Sequence, residues 1–214
     1  MKQFTSIILV IIFVLSFHTV SFSAKPQKGR TPVIVIDPGH GGRDSGAIKG
    51  GVMEKTLNLD IAIRLQTLLK ARGIKVYMTR TTDRSVGLYS RSALANRINA
   101  DLFISIHNNA GSRGDKGTMT LYYPGSAKTD RGLAGRDIAK LVQKELNVRL
   151  GSANLGLRSR PQLAVLRTTK MPAVLAEVGY MSDKNELAKL KTATYRQKSA
   201  VALEKAIIKA LGIK

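Results

Sequence analysis

Only three histidines occur in 214 residues, and two of them stand where an apolar run stops. His40 follows "VIVIDPG" and His107 follows "LFISI". Glu177 takes the same kind of place in "AVLAE", and a further carboxylate, Glu54, closes the glycine-rich stretch "GGVME". Glycines on both sides of His40 let the backbone take strained angles and hold the imidazole clear of packing neighbours. Two neutral imidazoles and one carboxylate, with a fourth position open, form the donor set of catalytic zinc. The chain has no cysteine, so any metal must be held by nitrogen and oxygen. Each residue alone has a plainer reading. His107 could be a satisfied polar residue at a strand end, Glu54 an acid favoured by a helix dipole, and Glu177 a partner for one of many arginines. "GHGGRDSG" lacks the lysine and spacing of a P-loop, and Asp44 stands where a dinucleotide fingerprint needs glycine. Weight comes from several motifs meeting at one edge.

That meeting depends on the elements between the motifs. Strand-like runs at 33–36, 74–79, 102–106, 118–123 and 173–176 alternate with helical patterns at 56–71, 88–99, 130–147 and 194–211. Asp183 with Glu186 resembles a capping box for a further short helix. Such alternation predicts an α/β fold: one three-layer domain, a mixed and mostly parallel sheet with helices on both faces. Ligands of open α/β sheets bind beyond the carboxyl ends of the strands. If the strands ending at His40, His107 and Glu177 are parallel neighbours, all three reach one rim.

The first 23 residues read differently. Lys2 precedes an apolar run from Ile7 to Phe17 broken only by Ser16, and small residues follow. Eleven helical residues rise only about 16 Å, too short for a bilayer core of about 30 Å. The pattern predicts a secretory signal peptide over 1–23, a basic linker over 24–31, and a domain over 32–214. Removing the signal takes Lys2 and His18, leaving two histidines, nearly all of the +21 net charge and no membrane span. Charge of that size implies an anionic partner. With no tryptophan and 5% aromatic residues, base-stacking surfaces are poorly supported and nucleic acid is not expected. Anionic cell-wall polymers fit an exported protein better.

Three quoted stretches carry a resemblance. "VIVIDPGHGGRDSGAIKGGVMEKTLNLDIAIRLQTLLKARGIKVYMTRTTD", "LYSRSALANRINADLFISIHNNA" and "AVLAEVGYMSD" resemble the zinc-dependent N-acetylmuramoyl-L-alanine amidases of bacterial cell walls, in the same order over about residues 32–212. The resemblance implies that His40, Glu54 and His107 bind Zn2+ and that Glu177 is the catalytic carboxylate. It implies peptidoglycan as substrate, cut at the amide between N-acetylmuramic acid and L-alanine, by a secreted, wall-associated enzyme. Asp37, Asp44 and Asn109 are close enough in sequence to orient the ligands, Asp37 equally as a turn residue before Pro38. Residues 110–172 show one strand and one helix with no occluding insert, so activity without a partner is expected. A secreted zinc peptidase would use the same four residues. A non-catalytic polyanion binder would explain the charge but not the convergence.

Overall fold

The computed structural model describes residues 30–112 and 115–213. Residues 1–23, expected to be a signal peptide, and most of the 24–31 linker lie outside the described residues. No helix among the described residues is long and apolar enough to cross a membrane.

In chain order the elements are β1 (Val33–Pro38), β2 (Ile48–Lys49), β3 (Val52–Met53), α1 (Glu54–Ala71), β4 (Lys75–Met78), α2 (Leu88–Arg97), β5 (Leu102–Asn109), β6 (Thr118–Tyr122), α3 (Gly135–Leu150), β7 (Asn154–Ser159), α4 (Ala164–Arg167), β8 (Ala173–Tyr180), α5 (Lys184–Lys191) and α6 (Ala193–Leu211). Six strands form one sheet in the order β4-β1-β5-β8-β6-β7. The first four run parallel, whereas β6 runs antiparallel to β8 and parallel to β7. Ile34, Val35 and Ile36 are fully buried, as a central strand covered on both faces requires.

Alternation along the strands divides the core in two. Ile34, Ile36, Ile104, Ile106, Val174 and Ala176 face α1, α3 and α6. Val35, Phe103 and Leu175 point the other way, towards residues of the short α2 and α4. Continuing that alternation by two or four residues places Asp37, His107 and Glu177 on the thinly covered face. The expected three layers are present, and the thin layer is what leaves room for a site.

Several boundaries differ from the sequence reading. The helix expected at 130–147 starts at Gly135, because Gly132 is left-handed (φ 80°) and Lys128 bridges Ala134 first. It ends at Gly151 in the left-handed conformation that stops helices. The β2–β3 hairpin and β7 are largely exposed and α4 is only four residues long, so none leaves a hydrophobic period in the sequence. Residues 110–172 therefore hold β7 and α4 besides the expected strand and helix. α4 packs on α2, where Ser92 Oγ meets Thr168 Oγ1 at 2.7 Å.

Candidate active site

His40 lies just beyond β1 with φ 60°, a left-handed backbone that a non-glycine residue adopts only when its surroundings enforce it. Two buried arginines supply the enforcement. Arg80 is fully buried and donates from Nε to Pro38 O at 3.0 Å and from Nη2 to Gly39 O at 2.9 Å. Arg91 donates from Nη1 to Pro38 O at 2.9 Å and from Nη2 to His40 O at 2.9 Å. Three successive carbonyls thus turn towards guanidinium groups. Asp37 does not touch His40. Its carboxylate accepts from Thr79, Ser105 and Arg91 at 2.6 to 2.7 Å, fixing Arg91 instead.

The imidazole is fixed from its far side. Asp44 Oδ2 lies 2.8 Å from His40 Nδ1, which leaves Nε2 facing Glu54 Oε2 at 3.1 Å. Glu54 opens α1 and is 5% exposed. Its Oε2 accepts from Ala47 N–H at 3.1 Å. Its Oε1 accepts from Asn58 Nδ2 and Asn108 N–H, both at 3.2 Å, and meets His107 Nδ1 at 2.9 Å. Asn108 Nδ2 donates to Asn58 Oδ1 at 2.7 Å. Asn109 makes no side-chain hydrogen bond to these groups among the described residues; its neighbour Asn108 and the helical Asn58 hold Glu54.

His107 and Glu177 are direct partners in the β5–β8 ladder. The rings of His40 and His107 meet edge to face, with centroids 4.8 Å apart. Donor atoms of His40, Glu54 and His107 lie within 4.8 Å of one another. Glu177 stands beside them with its Oε2 buried and without any hydrogen-bond partner.

Charge accounts for the arrangement. The hydrogen bond to Glu54 lifts His40 to about 9 against the opposing effect of burial. Burial pushes the Glu54 carboxyl up, but the bonds from His107 and His40 more than reverse this and hold it below the usual range. Burial likewise lifts Glu177 to about 7, with little relief from its neighbours. Two imidazoles gathered around a buried carboxylate suit a divalent cation that takes nitrogen and oxygen donors, which would replace the protons. The donor set and the unpartnered Glu177 oxygen both fit such an ion.

Sequence reasoning singled out neither Arg80 nor Arg91. Arg80 follows "IKVYMT" as His107 follows "LFISI", so the same strand-end signal applied to arginine finds it. Arg91 sits one turn before the buried Ala95 on the inner face of α2. Arg91→Lys keeps the charge but loses the fork that reaches both Pro38 O and His40 O. Metal affinity, read by chelator competition, should fall about 10- to 100-fold, and because the lost donors are buried the metal-free protein should also melt lower. Unchanged affinity would assign Arg91 to packing alone.

Comparisons with known proteins agree with this fold. The profile of the N-acetylmuramoyl-L-alanine amidase family matches residues 34–209. The amidase LytC of Bacillus subtilis is 37% identical over 178 residues, covering 83% of this chain and 35% of LytC. The chain therefore spans about a third of that relative's length. The sporulation-specific N-acetylmuramoyl-L-alanine amidase of Bacillus subtilis is 37% identical over 169 residues, covering 78% of this chain and 63% of that one. Among solved structures, the catalytic domain of CwlV from Bacillus (Paenibacillus) polymyxa var. colistinus superposes with a TM-score of 0.79 at 34% identity, covering 86% of this chain and 100% of that one. With its sheet and nearly its whole described length accounted for, the chain belongs to the N-acetylmuramoyl-L-alanine amidase family.

Proposed function

We propose that this protein hydrolyses the amide between the lactyl group of N-acetylmuramic acid and L-alanine in peptidoglycan, using one zinc ion held by His40, Glu54 and His107. When bound, such an ion is a Lewis acid that acidifies water and faces the charge developing on the amide oxygen. The buried, unpartnered Oε2 of Glu177 is the observation that carries the reading. Burial raises the Glu177 carboxyl above the usual range, and a carboxyl placed beside the site can accept a proton and return it. Glu177 takes a proton from the attacking water as oxygen bonds to the lactyl carbon. It then delivers that proton to the alanine nitrogen as the C–N bond breaks, leaving a lactyl carboxylate and a free amine. Asp44 holds His40 in one tautomer, and Asn58 and Asn108 hold Glu54, so the donors keep their places through the cycle.

Residues 1–23 are proposed as an export signal, placing the domain of residues 32–214 outside the cytoplasm and in contact with anionic wall polymers. Isolated peptidoglycan treated with the mature protein should release stem peptides with a free alanine amine and glycan that keeps the lactyl carboxylate, both read by mass. Cleavage between amino acids instead would make it a peptidase. This activity should need no partner protein; an inert chain that wakes on adding one would mean that residues 110–172 cover the site. Replacing His40, Glu54 or His107 by Ala should drop zinc well below one per chain under mild chelation. Full retention in all three variants would place the metal elsewhere.

A further inference from the structure

The helix layer on the far side of the sheet carries a second feature. Three shallow depressions cross it in series, with volumes of about 300, 320 and 390 Å³. The first lies between α3 and β7 and is lined by Lys140 and Lys144. The second, between α3 and α6, is lined by Arg149 and Lys198. The third, between α5 and α6, is lined by Lys189 and Lys198. Val148 is shared by the first and second and Lys198 by the second and third, so the three make one furrow, and a fourth depression lined by Asp60 and Arg64 meets the second at Gln197. No carboxylate lines these three, and Asp60 in the adjoining fourth is paired with Arg64 and Arg196.

The acids of these helices are spent elsewhere. Glu145 is buried and pairs with Arg149 and Lys209. Glu204 is buried and pairs with Arg72 at 2.9 Å. Glu186 is buried and accepts the N–H groups of Gly117 and Tyr180. Lys140 has a loose contact with Asp137 at 3.6 Å, and Lys144, Lys189 and Lys198 have no ion-pair partner among the described residues. The furrow thus has a positive field that the protein does not neutralise.

We infer that this furrow is a docking track for a linear phosphodiester polymer, and that it, rather than charge spread over the whole chain, tethers the protein. Four of its five cations are lysines, and the single arginine fork is engaged by Glu145. Ammonium groups bind phosphate oxygens as point charges and need no fixed fork geometry, which suits a flexible polymer of repeating phosphodiesters. Tyr195, the one aromatic residue of these three helices, is buried, so nothing there stacks nucleic-acid bases. Val148 is the sole large apolar side chain strongly exposed along the furrow, too little for a helix layer to lie in a bilayer. Lys140 to Arg149 covers about 13 Å of helix, enough to follow several polymer units. Asp37, His107 and Glu177 lie on the opposite face, so a polymer in the furrow leaves the site clear. The inference rests on the reading that the protein works in the cell wall.

Two variants of equal charge test it. One carries Lys140→Gln, Lys144→Gln, Lys189→Gln and Lys198→Gln; the other carries Lys75→Gln, Arg97→Gln, Arg167→Gln and Lys170→Gln, all outside the furrow. Adsorption to walls containing a polyglycerol or polyribitol phosphate should weaken about tenfold or more in the first and little in the second. Its salt dependence should flatten by about 0.7 in log–log slope per cation removed, as for single-stranded polyanions. Equal loss in both variants, or loss in neither, overturns the track. Undiminished binding after hydrofluoric acid strips the phosphodiester polymer overturns the ligand class. Stronger furrow-dependent binding to anionic phospholipid vesicles or to duplex DNA would do the same. Cleavage of a small soluble muropeptide is measured alongside and should be unchanged in both variants. Failure of the unmodified protein to cut it would sink the amidase reading while leaving the adsorption result to stand by itself.

Discussion

Glu177→Gln should leave zinc bound at one per chain and lower turnover on soluble muropeptides by about 10²- to 10⁴-fold, the usual size of a general acid–base contribution. Glutamine keeps the shape of the side chain in the β8 ladder beside His107 but cannot accept a proton from water or return one to the leaving amine. Because Glu177 Oε2 makes no hydrogen bond, the substitution breaks no contact there, and stability should change little. The proton-transfer role also predicts which kinetic parameter moves. Substrate contacts are untouched, so the loss should fall on kcat and leave KM nearly unchanged. Near-normal turnover by the loaded variant would pass the proton transfer to another residue. Loss of zinc in the variant would show that Glu177 is instead a ligand.

Why the two carboxylates divide in this way follows from their surroundings. Glu54 accepts from Ala47, Asn58 and Asn108 and faces both imidazoles, so every one of its interactions favours the charged form. Glu177 is governed first by burial, with the two imidazoles pulling against it, the Glu54 charge adding to it, and no hydrogen bond to its Oε2 among the described residues. In the function proposed above, one carboxylate would be held as an anion for a cation and the other would carry the proton. Sequence alone marked both as candidates. The division between them, Glu54 as ligand and Glu177 as catalytic carboxylate, came from the family resemblance, since strand ends and helix starts say nothing about which carboxyl finds hydrogen-bond donors.

The sheet was legible where burial is continuous. "VIVI", "LFISI" and "AVLA" each lie within strands of β1, β5 and β8, because central parallel strands need apolar residues at every position. Their polar continuations, Asp37–Pro38, His107–Asn109 and Glu177–Tyr180, were not read as strand, since ladder bonds extend past the apolar run. The exposed edge strand β7 and the two-residue strands β2 and β3 left no signal, being held by pairing and turn geometry rather than by hydrophobic period. The cluster of His40, Glu54 and His107 was foreseen as a set. The buried arginines behind it were not, because charge is normally read as surface, and Arg80 spends its donors on backbone carbonyls that a sequence does not display.

A single methyl group should empty the metal site. A Cβ on Gly39 would lie 2.2 Å from both Cε1 and Nε2 of His107 and 2.7 Å from its Cδ2, against the 3.4 Å at which ordinary contact begins. Gly39 does not adopt a positive φ, so alanine there carries no left-handed strain and the clash is the whole effect. Gly39 itself has little freedom to retreat. Its N–H donates to Ile106 O at 3.0 Å, and its carbonyl accepts from Arg80 at 2.9 Å and from Asn58 at 3.2 Å. The His107 ring must therefore move by about 1 Å, a displacement that costs about 10²-fold in rate when it affects a reacting geometry. Gly39→Ala should lose zinc under mild chelation, and turnover should fall about 10²-fold or more. Gly51→Ala is the contrast: its φ is +74° and a Cβ there meets nothing within 4 Å. It should cost about 1–2 kcal/mol of stability from left-handed strain alone and keep zinc and turnover intact. If Gly39→Ala keeps full zinc and activity, the His107 ring is free to turn aside, and the tight seat of the imidazole on the β1 loop is not what places it.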